Sequence, residues 1–524
     1  MSSVFSLQSW TKESIAELRN YLSFEDSANQ RIAITYPPTQ EELIAMPCSN
    51  IQEIESNAKA VAINAQEKWG ETPLEKRKEI FLNFHDLVFE HLESFLDLIQ
   101  LETGKARQNA LEEVLEVAIN SRYYAHRAEG WLESTASKGA VPFFTKTHVH
   151  YHPYGLIGII SPWNYPLAIP IADAIPALLA GNAVLLKPSE LTPLSALFAK
   201  KLLIQAGLPA NCLQIVNGYG NDLGDTILHL SDSIAFTGST ATGKIIAEKA
   251  GKLLKKCSLE LGGKNPLIVT DEVQIDALCE GIIQAAYSNS GQLCVSIEEV
   301  YIPTAKYEEI KNALTTAVNN IPQGHSFDYA FKVGALVSPE HTLKVARFIE
   351  NATTAGAKVL SGGLANSSIP NCTIAPTILE GVKDPMFLRN QECFGPVISL
   401  YKYDSIEELI SQLNSSEYGL NASVWSTNIE KARQIAHKLK FGTVNINEGY
   451  AAAYGSVDAP MGGMRASGIG RRHGKEGFMK YVESSTIAEQ RFLPVGESKY
   501  LQGKNYQDVM TTAVKSMKHI PGLK

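Results

Sequence analysis

The chain has 524 residues, of which 44% are hydrophobic and 19% are charged, and its formal net charge is -8. This length is enough for two or three domains that each bury an apolar core. Acidic and basic residues are interspersed, so no basic surface is expected that would hold nucleic acid.

The cysteines are scattered, with no CxxC pair and no histidine cluster beside them: Cys48, Cys212, Cys257, Cys279, Cys294, Cys372 and Cys393. This spacing argues against a disulfide framework or a metal site and favours a reducing cytoplasm. The first residues lack the basic and apolar blocks of a signal peptide. No apolar run approaches the ~20 residues needed to span a bilayer.

The amino-terminal segment has the apolar spacing of helices in residues 57–68, 72–104 and 111–127. Thr72 resembles an N-cap, with Pro73 at the first helical position and Glu75 in the first turn. Residues 143–154 alternate in the manner of an extended strand.

From Gly155 onward, short apolar strands alternate with helices, which is typical of parallel sheets covered by helices. The first series comprises strands 156–160, 183–186, 212–216 and 234–236, with helices 193–206, 221–230 and 241–255. The second comprises strand 266–269, helix 275–290, strand 300–302, helix 307–321, helix 406–413, a segment of this rhythm at 424–439 and strand 443–446. The sequence therefore predicts an α/β fold of two lobes, with a boundary near residues 257–263.

The tail has an apolar stripe at helical spacing, formed by Tyr506, Val509, Met510, Ala513, Val514 and Met517. Its lysines make it basic. Since most amphipathic stripes face a core, the stripe favours a helix packed on its own or a neighbouring subunit. A helix at a membrane surface is the alternative.

Two segments at predicted strand ends could hold a dinucleotide. Gly238 permits a tight turn before a helix and Gly243 permits close packing, so the free N–H groups at the helix start could bind a pyrophosphate. Lys187 and Glu190 could bind ribose hydroxyls, and Glu190 would repel a 2′-phosphate. A plain strand–turn–helix and a solvated turn are the respective alternatives.

Three residues could oxidise an aldehyde through a thioester. Cys294 would be the nucleophile, and Glu260 the general base that activates water for hydrolysis. Asn164, with the backbone N–H of Cys294, would stabilise the oxyanion. The alternatives are a buried inert cysteine, a solvated carboxylate and a turn residue.

Six motifs in this order resemble the aldehyde dehydrogenase superfamily over residues 30 to 490: Pro162-Trp-Asn-Tyr-Pro166, Lys187-Pro-Ser-Glu190, Phe236-Thr-Gly-Ser239, Glu260-Leu-Gly-Gly-Lys-Asn-Pro266, Gly291-Gln-Leu-Cys294 and Glu392-Cys-Phe-Gly-Pro-Val397. The resemblance implies a Rossmann-like NAD(P)-binding domain (1–123 and 155–257) and an α/β catalytic domain (258–478). It also implies a small β oligomerisation arm (124–154 and 479–497), and residues 498–524 form the basic tail. A homodimer or homotetramer is expected.

The same resemblance implies which residues hold the cofactor. Glu392 would hold the nicotinamide ribose, Phe394 would pack beside the nicotinamide ring, and Ser239 would contact the pyrophosphate. The full predicted set is Ser161, Trp163, Lys187, Ser189, Glu190, Gly220, Gly238, Ser239, Leu261, Glu392 and Phe394. Glu190 favours NAD, with NADP as the alternative.

Within the superfamily, the chain is similar to bacterial succinate-semialdehyde dehydrogenases of the second type. The matching stretches are Tyr418-Gly-Leu-Asn-Ala-Ser-Val-Trp425, Gly442-Thr-Val-Asn-Ile-Asn-Glu-Gly-Tyr450, Ala459-Pro-Met-Gly-Gly-Met464, Gly470-Arg-Arg-His-Gly474 and His519-Ile-Pro-Gly-Leu-Lys524. This likeness predicts succinate semialdehyde as the substrate.

Departures from that subgroup predict a different substrate. Ala172 stands where such enzymes carry an arginine for the substrate carboxylate, and Glu298 and Glu299 replace another arginine, so acids would face a dianion at the mouth. A substrate pocket of Tyr165, Ala168, Ile169, Ala172 and Tyr450 would form a wide apolar tunnel for longer aliphatic or aromatic aldehydes. Arg472 stands where many relatives have glutamate.

Three other classes stay open as alternatives. An acylating enzyme would release acyl-CoA, but the presence of Glu260 argues for hydrolysis. A non-catalytic binding relative of the same fold would be expected to lack Cys294 or Glu260. A membrane-associated fatty-aldehyde dehydrogenase depends on the tail.

Overall fold

The computed structural model describes residues 9–25, 30–138, 145–369, 371–491 and 495–519. The chain divides into two structural units, one formed by residues 1–128 and 153–481 and the other by residues 129–152 and 482–524. The predictions made for residues 143 and 144 and for the last five residues lie outside the described ranges.

The strands and helices are numbered separately in chain order. The strands are β1 Arg31–Tyr36, β2 Glu41–Pro47, β3 Thr135–Lys138, β4 Thr145–Pro153, β5 Leu156–Ile160, β6 Ala183–Lys187, β7 Leu213–Ile215, β8 Ser233–Thr237, β9 Lys256–Glu260, β10 Asn265–Val269, β11 Ile297–Pro303, β12 Lys358–Ser368, β13 Thr373–Glu380, β14 Val397–Tyr403, β15 Asn421–Trp425, β16 Thr443–Ile446, β17 Gly468–Ile469 and β18 Val482–Gln490. The helices are α1 Lys12–Glu17, α2 Ile51–Glu53, α3 Lys59–Glu71, α4 Leu74–Glu90, α5 Leu92–Thr103, α6 Arg107–Leu132, α7 Ala168–Leu179, α8 Leu194–Gln205, α9 Gly220–Leu230, α10 Thr240–Lys252, α11 Ile275–Tyr287, α12 Tyr307–Asn319, α13 Pro339–Thr354, α14 Phe387–Asn390, α15 Ile406–Asn414, α16 Ile429–Lys438, α17 Ala451–Tyr454, α18 Gly474–Met479 and α19 Gly503–Met517.

The first large sheet has the strand order β17-β9-β8-β5-β6-β7. Strands β5 to β9 are mutually parallel, and β17 pairs with β9 in the antiparallel sense. Their sequences are short apolar runs, and β6 and β8 are buried along their whole length, as expected for a sheet with helices on both faces. From β5 the chain proceeds outward through β6 and β7, then returns to β8 on the other side, so the strand order reverses between β5 and β8.

The second large sheet has the order β12-β13-β14-β11-β10-β15-β16, with β12 antiparallel to β13 and the remaining neighbours parallel. Its core contains Leu267, Val300, Ile398 and Trp425. Helices α11 and α12 contribute Ile282 and Ile310, respectively, to the same core and follow β10 and β11, as the alternation of elements predicted. The α/β fold class is confirmed.

The two large sheets approach each other at unlike edges. Strand β9 ends at Glu260 at the carboxyl edge of the first sheet, and β10 begins at Asn265 at the amino edge of the second. Only four residues connect these strands, so the carboxyl edge of one sheet lies against the amino edge of the other. Ligands of doubly wound sheets bind beyond the carboxyl ends of strands, where the strand order reverses.

Two helix predictions were wrong in detail. Residues 72–104 form two helices, because the backbone leaves the helical region at His91. Helix α4 begins at Leu74 with Pro73 as its N-cap, whereas the Thr72 hydroxyl donates to the carbonyl of Lys68 and ends α3. The predicted helix 275–290 ends at Tyr287, since Asn289 and Ser290 have positive φ angles of 48° and 56°.

The segment 424–439 divides into a strand end and a helix. Strand β15 ends at Trp425, and α16 begins at Ile429 after Asn428, whose side chain accepts from the backbone of Lys431. The side-chain cap satisfies one of the orphan donors at the helix start.

The second unit contains a three-stranded sheet of order β18-β4-β3 and the helix α19. The alternating segment after residue 143 forms β4, as predicted. In α19 none of the residues is buried, and Val509 and Val514 are half or more exposed. None of the helices in the described ranges is both long and apolar enough to span a lipid bilayer.

Candidate active site

A cavity of about 200 Å³ lies where the two sheet edges meet. Segments that follow β5, β8 and β9 line it from the first sheet, and segments that precede β11 and β14 line it from the second. Its lining residues are Pro162, Trp163, Asn164, Ile169, Thr237, Gly238, Ser239, Glu260, Leu261, Gly262, Cys294, His341, Lys344, Glu392 and Phe394. Below we call this the central cavity.

Cys294 reaches the central cavity on the loop between α11 and β11. After α11 ends, a single 3₁₀ turn over Ser288–Gly291 redirects the chain through left-handed backbone at Asn289 and Ser290. The carbonyl of Cys294 accepts from Nδ2 of Asn265 at 2.7 Å, which holds the loop against the start of β10. The 3₁₀ turn, the left-handed backbone and the hydrogen bond from Asn265 together place the Cys294 side chain at the cavity wall.

Burial, together with the carboxylates of Glu392 and Glu260, raises the pKa of the Cys294 thiol to about 12. At neutral pH the sulfur therefore carries its proton, so nucleophilic attack requires a base to remove it. Carboxylates that line the same cavity are available for this purpose.

Glu260 is the last residue of β9, and its side chain turns into the central cavity. Burial raises its pKa to about 7. Its Oε1 atom is buried and has no hydrogen-bond partner among the described residues. A Cβ at Gly462 would lie 2.8 Å from this oxygen, so the absence of a side chain there gives the carboxylate its room. A carboxyl group with a pKa near 7 is suited to proton transfer at neutral pH.

The Asn164 amide is fixed at the cavity wall. Its Nδ2 donates to the backbone carbonyl of Gln292 at 2.9 Å, and the backbone carbonyl of Asn164 accepts from Nζ of Lys105 at 2.7 Å. The primary amide has two N–H bonds, so one remains after the bond to Gln292. Asn164 is thereby held beside the loop that carries Cys294.

Glu392 and Phe394 enter the cavity from the segment before β14. The backbone N–H of Gly263 donates to Oε1 of Glu392 at 3.0 Å, and burial raises the pKa of this carboxyl to about 8. A Cβ at Gly262 would lie 2.2 Å from Oε2 of Glu392, so a side chain at that position would displace the carboxylate. Phe394 has a φ of +59° and makes an edge contact with Trp163 at a ring distance of 5.5 Å.

The turn between β8 and α10 forms another wall. The Gly238 N–H donates to the carbonyl of Glu260 at 3.0 Å, and the Ser239 side chain caps α10 by accepting from the Thr242 N–H. A Cβ at Gly243 would lie 2.3 Å from the side chain of Leu261, so glycine permits α10 to pack on the segment after β9. This agrees with the reason given for Gly243 in the sequence.

The remaining predicted cofactor residues also follow carboxyl ends of the first sheet, but lie outside the lining of the central cavity. The buried Ser161 has an Oγ without a partner among the residues described. Lys187 is buried and bonds Oε2 of Glu190 at 2.8 Å, whereas Glu190 is 25% exposed. Ser189 is buried within the same turn, and Gly220 begins α9 beyond β7.

Four of the five predicted pocket residues form an apolar cluster against Cys294: Tyr165, Ala168, Ile169 and Tyr450, together with Leu293, Val295, Leu420 and Met461. Of the five, Ile169 alone lines the central cavity, and Ala172 is 7% exposed. The hydroxyls of Tyr165 and Tyr450 lie 3.3 and 3.4 Å from Oε2 of Glu112, so the far side of the cluster is polar.

The prediction that Glu298 and Glu299 face the substrate mouth was wrong. Both lie on β11 and are 4% exposed. Oε2 of Glu298 bonds Nζ of Lys264 at 2.5 Å, and Oε1 of Glu299 bonds Nη1 of Arg389 at 2.6 Å. The sequence of a strand does not show which cations pair with its acidic residues. These ion pairs are seen only in the folded chain.

His341 and Lys344 also line the central cavity. The sequence did not predict either of them as a site residue. They lie on the first turns of α13, after the Ser338 N-cap, and belong to none of the six motifs. Burial lowers the pKa of His341 to about 4, so its ring is neutral at neutral pH. Its Nε2 lies 2.8 Å from the carbonyl of Phe394. The Ser-Pro helix start at 338–339 was the available signal, but it does not indicate a ligand.

Comparison with known proteins gives consistent results. The family described as "Aldehyde dehydrogenase family" matches residues 24–487. A protein of Mycolicibacterium smegmatis named "Putative succinate-semialdehyde dehydrogenase [NADP(+)]" is 41% identical over 508 residues, or 97% of this chain and 98% of that protein. The rice protein "Succinate-semialdehyde dehydrogenase, mitochondrial" is 34% identical and covers 87% of this chain and 86% of its own length. A Bacillus cereus structure titled as an NAD+ complex of aldehyde dehydrogenase superposes with a TM-score of 0.83 and 33% identity, over 88% of this chain and 93% of that one.

Proposed function

Because this chain belongs to the aldehyde dehydrogenase family, we propose that it oxidises an aldehyde to a carboxylate through a thioester on Cys294, with NAD(P)+ as the oxidant. The observation that carries the proposal is the shared cavity: Cys294, Glu260 and Asn164 line one space although they come from three separate parts of the chain.

In the first step the Cys294 sulfur adds to the aldehyde carbon. Its proton passes to a carboxylate, for which Glu260 is suited because its pKa of about 7 leaves it partly ionised at neutral pH. The remaining N–H of Asn164 and the backbone N–H of Cys294 would donate to the oxyanion of the thiohemiacetal. Fixed donors of this kind require no reorganisation as charge develops.

In the last step the thioester is hydrolysed. Glu260 first releases to solvent the proton it took from Cys294, then removes a proton from water; the water oxygen attacks the acyl carbon, and the Cys294 sulfur leaves and is protonated by Glu260. The product is a carboxylate. An acyl-CoA product would not require this base, so the position of Glu260 beside Cys294 supports hydrolysis.

The residues present fit a dinucleotide. A Cβ at Gly238 would lie 2.5 Å from the Phe236 ring, Ser239 caps the start of α10, and the buried Oγ of Ser161 lacks a partner within the described ranges. We propose that these residues hold NAD(P)+ with Trp163, Leu261, Glu392 and Phe394, and that Lys187, Ser189, Glu190 and Gly220 extend the site. When bound, the nicotinamide supplies the acceptor for the hydride. Trp163, His341 and Phe394 form aromatic contacts that shield this side of the cavity from water.

We also propose the domain division and oligomer expected from the family. The NAD(P)-binding domain would carry the first large sheet and the catalytic domain the second. The three-stranded sheet β18-β4-β3 supports residues 124–154 and 479–497 as an arm for homodimers or homotetramers.

For the substrate we propose succinate semialdehyde, because the names of the Mycolicibacterium and rice relatives carry it. The buried pairs of Glu298 and Glu299 remove the electrostatic objection to an anionic aldehyde. The apolar cluster beside Cys294 favours longer aliphatic or aromatic aldehydes as the second candidate.

The test is NADH and NADPH formation by the purified protein across succinate semialdehyde, hexanal, decanal and benzaldehyde. We expect the highest kcat/KM for succinate semialdehyde. A ranking led by decanal or benzaldehyde would support the second candidate, and no oxidation of any aldehyde would contradict the function itself.

A further inference from the structure

Arg472 is a cation whose side chain is 12% exposed and which is fixed by its main chain and its side chain. Its backbone N–H and carbonyl pair with Met461 at 2.6 and 2.8 Å, and Met461 belongs to the apolar cluster beside Cys294. Its Nη2 donates to Oδ2 of Asp173 at 2.7 Å and to the carbonyl of Ile169 at 2.9 Å. Ile169 lines the central cavity, so the guanidinium is held directly behind one cavity wall.

Asp173 is itself anchored, which prevents the pair from moving. It also accepts from Nζ of Lys480 and from the hydroxyl of Tyr481, both at 3.1 Å, and it is 5% exposed. Although burial opposes ionisation, Arg472 and Lys480 lower the pKa of Asp173 below its ordinary value. Arg472 is thus a permanent charge at a fixed position, and its side-chain hydrogen bonds are to Asp173 and Ile169.

The charges that act on the two cavity groups can be named from every side. Glu260 is influenced by Arg472, Lys480 and Arg471, which favour its ionised form, and by Asp173, which opposes it. Cys294 is influenced by Glu392 and Glu260, which oppose the thiolate, and by Arg472, which favours it. Glu116, whose Oε1 lies 3.6 Å from Nε2 of His473, faces Arg472 from α6. Arg472 therefore favours the ionised form of both groups.

We propose that Arg472, locked on Asp173, is a positioning residue that acts by its charge on both members of the Cys294–Glu260 pair without touching the substrate. It stabilises the Glu260 carboxylate that accepts protons and the Cys294 thiolate that attacks. This inference rests on the proposed function, in which both groups must ionise during turnover.

The experiment compares Arg472→Met, which removes the charge, with Arg472→Lys, which keeps it. Arg433→Met, an exposed site on α16, is the control. Two pH profiles are measured on the full chain: kcat/KM for aldehyde oxidation, and the rate at which iodoacetamide alkylates Cys294, followed by peptide mass spectrometry because other cysteines are present.

We expect Arg472→Met to shift the acidic limb of kcat/KM upward by about one pH unit, and to slow alkylation of Cys294 about tenfold at pH 8. Arg472→Lys should restore most of both values, and Arg433→Met should match the wild type. Unchanged profiles in a folded Arg472→Met variant would overturn the proposal.

A second variant covers the case in which Arg472→Met does not fold. Asp173→Asn keeps the hydrogen-bonding shape but removes the anion that opposes ionisation of Glu260, so the acidic limb should move to lower pH. A structural role alone would not produce opposite shifts, and a shift of both variants in one direction contradicts the proposal. If the wild type oxidises no aldehyde but alkylation still slows in Arg472→Met, the proposed function fails while the action of Arg472 on Cys294 stands.

Discussion

Two groups of buried acids lie on either side of the segment 261–264. They differ in whether a cation contacts the carboxylate. In the central cavity, Glu260 has an oxygen without a partner in the described chain, and Glu392 accepts from a backbone N–H. On β11, Glu298 bonds Lys264 and the backbone N–H groups of Cys393 and Phe394. The second group is compensated by a cation at contact distance, and the first is not.

This difference distinguishes acids suited to proton transfer from acids that form structural ion pairs. A cation in direct contact opposes the rise in pKa that burial causes in a carboxyl group, whereas a carboxyl group with only distant cations lacks this opposing contact. Glu260 and Glu392, with pKa values of about 7 and 8, belong to the second kind. Burial alone would not have distinguished them from Glu298 and Glu299, since all four are enclosed by the fold.

The largest effect is expected from the group that faces both uncompensated acids. Cys294→Ala removes the proposed nucleophile, so aldehyde oxidation should fall below detection while NAD+ binding, measured by calorimetry, is retained. Cys279→Ala, on the buried face of α11, is the matched cysteine control. Appreciable dehydrogenase activity in Cys294→Ala would falsify the choice of nucleophile.

Glu260→Gln should lower kcat by roughly 10²- to 10⁴-fold, because it removes the proposed general base. In the wild type, activity should rise as Glu260 loses its proton near pH 7, so kcat/KM falls below that pH. The variant should lose this acidic limb. A limb that persists unchanged in Glu260→Gln would assign it to another group, with Glu392→Gln as the next variant to measure.

Lys264→Met tests the compensated side. It leaves Glu298 buried without its cation, and should lower the free energy of unfolding by about 3–5 kcal/mol in urea denaturation. Lys306→Met removes a partner of an exposed pair and should change the same quantity by less than about 1 kcal/mol. Equal changes in the two variants would mean that the buried Lys264–Glu298 pair affects the free energy of unfolding no more than an exposed pair does.

The smallest effect concerns Glu190, a partly exposed acid that pairs with Lys187. Glu190→Ser should relax discrimination against NADP+ by about 1–2 kcal/mol, because it removes one repulsion of a 2′-phosphate. The ratio of kcat/KM for NAD+ and NADP+ measures this, with Glu309→Ser on the distant surface of α12 as control. An unchanged ratio would show that Glu190 does not face the ribose.

Much of this protein was determined by the sequence alone. Apolar runs of strand length that alternate with amphipathic segments indicated the parallel sheets, because strands covered on both faces must be apolar throughout. The family motifs identified Cys294, Glu260, Asn164 and Glu392 as site residues, and all four line one cavity. Glycines such as Gly243 were correctly interpreted as positions of close packing, since the lack of a Cβ is a local property.

The tertiary structure decided what depends on contacts between distant segments. The loop that carries Cys294 begins earlier than the predicted helix end. The reason is that Asn289 and Ser290 adopt left-handed backbone, which the sequence pattern did not predict. Glu298 and Glu299 are structural acids rather than acids at a mouth, and Arg472 is held by Asp173 from a helix 299 residues away. Charge compensation and pKa depend on three-dimensional distance and burial, so no spacing along the chain could have assigned them.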